Sequence, residues 1–100
     1  MFVTNEQRVL QAVAVQLMNG DEVVLDDQTL QVKRVGGDRL RMAQFKMSGR
    51  EFEAIEQNPK KPSRWGQLAR EKHQVVQFRD VVTKKYVAVV VDGEVTEYGR

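Results

Sequence analysis

The sequence predicts a small α+β domain: an antiparallel β-meander, curled like an SH3-like half-barrel, with two short helices packed on one side. Three observations predict it. Apolar residues recur at helical spacing in only two stretches, and elsewhere they alternate with polar ones. The alternating runs are joined by short turns, which pair strands antiparallel. The chain has 100 residues, the length of one domain, expected to span 1–100.

The elements follow in order. Thr4 to Gln7 forms a capping box, and Leu10, Val13, Ala14 and Leu17 fall on one helical face, with Gly20 as a stop. A strand reading competes, because Val13, Val15 and Leu17 also alternate before Asn19-Gly20. Cap, period and stop agree on a helix over 4–18. A first meander is expected over 22–57. Val23 and Leu25 share a face, Asp26-Asp27-Gln28 supplies a turn, and 29–35 alternates with Leu30 and Val32 inward. Gly36-Gly37 reads as a two-residue turn, and 39–47 continues with Leu40 and Met42 inward. The apolar phase then slips to Phe45 and Met47, which predicts a β-bulge near Ala43-Gln44. Segment 50–57 carries both a helix-like cap, Ser48 to Glu51, and a strand alternation. The preceding hairpins favour a strand, with Phe52 and Ala54 on one face and Glu51, Glu53 and Ile55 on the other.

Asn58-Pro59-Lys60-Lys61-Pro62 ends the first β unit. Ser63 is a suitable N-cap for a short helix over 63–72, whose stripe is Trp65, Leu68 and Ala69. Gly66 inside it costs about 1 kcal/mol relative to alanine, which points to close packing or fraying. A second meander is expected over 74–98. Val76 and Phe78 point inward, Tyr86 to Val91 is apolar on both faces and therefore central, and Asp92-Gly93 is a hairpin turn.

Composition narrows the functional classes. Cysteine is absent, which excludes disulfides, thiolate zinc sites, Fe–S ligation and cysteine nucleophiles. A cytoplasmic setting is expected, since small secreted domains usually carry disulfides. The longest apolar run, Tyr86 to Val91, is six residues against the roughly 20 of a membrane helix, so no membrane insertion is expected. No phosphate-binding glycine motif occurs. The single His73 reads as a cation at a helix end. Glu51, Glu53 and Glu56 could in principle supply an acid/base pair, but Glu51 and Glu53 read as an exposed strand face. The expectation is a non-enzymatic domain with no catalytic residues, no metal and no cofactor.

The densest cluster runs from Glu56 through Arg70. It holds the only tryptophan and both prolines, and from 58 to 73 five cations stand against Glu71 alone. Lys60, Lys61, Arg64, Trp65 and Arg70 are the candidate partner-binding residues. Aromatic and arginine anchors suit a protein partner, and the same cations suit nucleic acid as the alternative. A structural reading competes: Trp65 as core anchor, with Arg64 and Arg70 paired to Glu56 and Glu71. Lys33, Arg39 and Arg41 read as a second basic strip, more simply a solvated face. The Glu-Gln-Asn-Pro, Ser-Arg-Trp and Leu-Ala-Arg pattern, with the strands after it, resembles small bacterial proteins, many of them cyanobacterial. The resemblance covers Glu56 to about Val91 and implies kinship, not chemistry.

Overall fold

The helical spacing from Leu10 to Leu17 wins over the strand reading because it is capped and buried. A computed structural model describes residues 4–99, so residues 1–3 and 100 of the expected domain lie outside the described residues. Helix α1 spans Asn5–Asn19, its capping box is formed by Thr4 and Gln7, and Leu10, Val13, Ala14 and Leu17 are buried. Gly20 follows it in extended conformation, so the end of the helix owes nothing to a left-handed glycine. Asn19 closes the last turn instead, donating from Nδ2 to Val15 O at 2.7 Å.

Eight strands follow: β1 Glu22–Leu25, β2 Gln28–Gln31, β3 Lys33–Val35, β4 Leu40–Met47, β5 Arg50–Glu56, β6 Val75–Asp80, β7 Tyr86–Val91 and β8 Glu94–Tyr98. Helix α2, Arg64–Arg70, lies between β5 and β6. Strands β1 and β2 form a two-stranded sheet, and β3 to β8 form one antiparallel sheet in chain order. The first meander is therefore not a unit of its own. The run expected over 29–35 is broken at Val32, whose N–H donates to Asp21 O at 2.9 Å. Alternation passes through this change of sheet unnoticed, because the pleat period is the same on both sides.

Register assigns the two faces. Ala43, Ala54, Phe78, Ala88 and Tyr98 form one row, and Phe45, Phe52 and Asp80 the next. Most of these residues join the α1 side chains in the hydrophobic core. At its centre Phe45 stacks on Phe52 and meets Phe78 edge-on, with centroids 5.8 and 5.9 Å away. The outer face carries Met42, Ile55, Gln77 and Val89 in one row and Gln44, Glu53, Arg79 and Tyr86 in the next. Helix α2 packs against β6 on this outer face, with Trp65 beside Gln77 and Tyr86. The helices thus occupy opposite sides rather than one. Two covered faces explain why apolar residues occur in both phases of a strand.

They also remove the need for a bulge at Ala43-Gln44. The β4–β5 register is continuous, Ala43 and Phe45 are buried inward, and Leu40 and Met42 are half-buried. The bulges lie instead between Phe78 and Arg79 and between Val89 and Val90. Arg39 belongs to the turn before β4, with φ 52°. β7 is buried at Ala88, Val89 and Val90 but is next to the sheet edge, and Tyr86 is 58% exposed. The Asp92-Gly93 hairpin has φ 51° and 82°, the mirror-type turn that matches strand twist.

Two edges are closed by side-chain amides. Gln16 accepts from Val24 N at 2.8 Å and donates to Val24 O at 3.1 Å. Gln28 accepts from Lys46 N at 3.0 Å and donates to Lys46 O at 2.8 Å. Each glutamine acts as one missing peptide of a neighbouring strand. This blunts an edge that would otherwise template pairing.

Candidate interaction groove

Local chemistry fixes the loop before α2. Asn58 Oδ1 accepts from Lys60 N at 2.8 Å, an Asx turn, while its Nδ2 donates to Asp38 Oδ2 at 2.8 Å. Lys60 Nζ meets Asp38 Oδ1 at 2.8 Å. The hydrogen bonds from Lys60 and then Asn58 hold the Asp38 carboxyl below its ordinary range, and the Lys60 ammonium is raised by the same pairing. Arg70 reaches back from the end of α2 to donate to Pro59 O at 2.6 Å and Lys61 O at 2.9 Å. Ser63 caps α2 by accepting from Gly66 N at 3.1 Å. A Cβ on Gly66 would lie 2.0 Å from Lys61 O. The glycine therefore admits the loop carbonyl that Arg70 holds in place, rather than close packing on the sheet.

Of the five candidate binding residues, Lys60 and Arg70 serve this loop. Lys61 and Arg64 are exposed and in no ion pair among the described residues, although Asp38 feels the charge of Lys61. Arg64 stacks on Trp65, its guanidinium carbon 4.2 Å from the ring centroid. Trp65 is half-buried and lies outside the core cluster, so it is not the core anchor. The pairings expected with Glu56 and Glu71 do not form. Glu56 accepts from Arg41 N at 2.9 Å and lies 3.5 Å from the Arg41 guanidinium. The basic strip does not form either. Arg41 points toward α1 with Met18 Sδ at 3.9 Å, Lys33 shares the outer row with Met42, and Arg34 donates to Arg39 O at 3.0 Å.

Between α2 and β7 runs a groove of about 310 Å³, lined by Gln57, Lys61, Pro62, Ser63, Trp65, Gln77 and Tyr86. Gln57 is only 5% exposed. Its Nε2 donates to Asn58 O at 3.2 Å, and its Oε1, itself shut off from solvent, has no hydrogen-bond partner among the described residues. A buried acceptor left unmet costs about 1–3 kcal/mol. Beside the groove Glu53, expected on an exposed face, is 7% exposed and pairs with Arg79, whose Nε is also unmet. Glu53 lies between Gln44 and Arg79 in its row and is covered in that ion pair, whereas Glu51, nearer the strand start, is exposed.

Sequence reasoning overlooked Gln57, Gln77 and Tyr86. Tyr86 heads an apolar run and reads as buried, while glutamines carry no pattern of their own. The two serines and the single histidine are all engaged in local contacts. Ser48 Oγ donates to Glu6 at 2.7 Å, Ser63 Oγ is the α2 cap, and His73 Nδ1 lies 2.6 Å from Asp92 Oδ2. Asp92 also accepts from Gln74 N, and this bond, followed by the His73 contact, lowers its carboxyl pKa. These contacts fasten the β7–β8 turn to the end of α2. Among the described residues no helix is long and apolar enough to cross a membrane. No family model, curated protein or solved structure matches the chain.

Proposed function

We propose that the chain is a non-enzymatic, cytoplasmic docking domain that holds a protein partner on the outer face of its sheet, between α2 and Tyr86. One observation carries the reading: an exposed tyrosine and a half-buried tryptophan flank the same groove on a rigid sheet. Large amphipathic rings held in place supply contact area at low entropic cost, and they dominate interface energetics. The nucleic-acid alternative is weaker, because Lys60 and Arg70 already hold loop 58–62. A steep salt dependence needs several cations that meet phosphates.

Photo-crosslinking tests the reading. A photoreactive phenylalanine derivative replacing Tyr86 is expected to give a defined protein adduct in native extract, insensitive to nuclease. The same group replacing Val82, which is 82% exposed and off the groove, is expected to give none. An adduct lost on nuclease treatment would favour nucleic acid, and equal adducts at both positions would remove the groove from consideration.

A further inference from the structure

We propose that Asn19 is a site of spontaneous deamidation, in which Gly20 N attacks the Asn19 side-chain amide, and that loss of this amide loosens the end of α1. Three observations carry it. The fold does not require glycine at position 20. Its φ of −155° and ψ of −176° are extended backbone open to any residue, and an added Cβ would meet only Gln16 O at 3.6 Å and Glu22 O at 3.9 Å, ordinary contacts. What the glycine does is leave the nitrogen beside Asn19 without a side chain to shield it. Asn19 and Gly20 are both exposed, so hydroxide and water reach them. Finally, the reacting amide is itself what closes the last turn of α1. Its Nδ2 donates to Val15 O at 2.7 Å, its Oδ1 accepts from Gln74 Nε2 at 3.3 Å, and no basic residue supports that turn. Helix ends open at small cost, and here one opening frees the side chain and the attacking nitrogen together.

The step needs only water. Hydroxide removes the proton of Gly20 N, and the nitrogen lone pair forms a bond to Asn19 Cγ. The Cγ–Nδ2 bond breaks, and Nδ2 takes a proton from water and leaves as ammonia, which restores the hydroxide and closes a succinimide ring. Water then opens the ring. Cleavage at Cγ gives aspartate, and cleavage at the main-chain carbonyl gives isoaspartate. One water is consumed, one ammonia is released and nothing is oxidised. Either product carries a new carboxylate and has no Nδ2 to donate to Val15 O. The charge also falls at the negative end of the helix dipole, just before Asp21 and Glu22, so the turn does not close again.

The related sites lack this chemistry. Asn58 precedes Pro59, which has no N–H to give up, and its side chain is held by Asp38 and Lys60. Asn5 lies within the first turn of α1 and precedes Glu6, whose side chain crowds the nitrogen. Asp92-Gly93 is the aspartate analogue, but Gln74 N and His73 hold its carboxylate, and a carboxylate resists attack by a nucleophile.

Incubation of the folded protein in mildly alkaline buffer, followed by peptide mapping with mass detection, tests the assignment. One amide per chain is expected to be lost at position 19, as aspartate and isoaspartate, with Asn5 and Asn58 intact. Gly20→Ala is expected to slow the loss severalfold with an unchanged thermal midpoint, because the fold accepts a Cβ there. In Asn19→Asp, amides of the last turn of α1 are expected to exchange about fivefold faster, the worth of one hydrogen bond. Retention of Asn19 in the folded protein while a urea-unfolded sample loses it would show that the fold seals the site, and would overturn the assignment. Equal rates in Gly20→Ala and the unaltered chain, or earlier loss at Asn5 or Asn58, would overturn it too. Unchanged exchange in Asn19→Asp would overturn the loosening of α1.

Discussion

Gly66 shows how one residue reconciles two local demands. A helix interior favours alanine over glycine by about 1 kcal/mol, yet a methyl group here would sit 2.0 Å from Lys61 O. That carbonyl is held by Arg70, so it has little room to move. Gly66→Ala is expected to destabilise the domain by about 1–3 kcal/mol, the usual range for overpacking, despite its better helix propensity. Urea unfolding checks it, and a gain in stability would show that the loop yields. Glu53 poses the opposite problem, a buried charge held by one partner. Glu53→Ala is expected to cost about 3 kcal/mol, because Arg79 is left with no counter-charge and an already unmet Nε. Replacing both residues by leucine is expected to recover most of that loss. Gln57→Leu removes an unmet acceptor and one weak bond, so its thermal midpoint is expected to hold or rise.

Among the elements, the edges of β1 and β4 depend on side chains rather than on strands. Gln28→Glu keeps an acceptor for Lys46 N but cannot donate to Lys46 O. Gln16→Ala removes both bonds to Val24. Each is expected to lower stability by about 0.5–1.5 kcal/mol per lost bond. Amide exchange should quicken locally at Val24 in Gln16→Ala, with the core strands unchanged. Uniform acceleration across the sheet would instead mark global destabilisation. Helix α1 was legible because its capping box and its apolar period agree, although the Gly20 stop does not act through a left-handed turn. Strand β5 was legible from its neighbours, although its capping signal pointed to a helix. The false bulge in β4 has a single cause: periodicity reports that a residue is covered, but not which layer covers it.

For the molecule as a whole, pH dependence follows from three carboxyls held below their ordinary range. Asp80 accepts from Thr83 N at 2.9 Å, from Arg50 Nε at 3.0 Å and from Val82 N at 2.8 Å, and these bonds favour its charged form. Asp38 and Asp92 are lowered by their own partners. On acidification the unfolded chain takes up protons first, near pH 4. The stability these groups contribute is therefore fully present above about pH 4 and is lost as pH falls through their folded values. Lys60 is raised, so its contribution is present below about pH 10 and is lost as pH rises beyond. Thermal midpoints are expected to form a plateau across neutral pH with a fall on the acid side. Asp80→Asn should lower the plateau and flatten that fall, and an unchanged acid limb in this variant would remove Asp80 from the account.

By itself the sequence determined the two helices, their N-terminal caps and most of the strands and turns, because each of these is decided within a few residues by dihedral preference, capping and periodicity. It also determined that the chain lacks cysteine chemistry. Only the tertiary structure decided that the helices lie on opposite faces, that Lys60 and Arg70 hold a loop, and that Trp65, Tyr86 and Gln57 meet in one groove. Those facts depend on pairing between residues far apart in the chain, and on which polar groups burial leaves without water. Neither is written in local spacing.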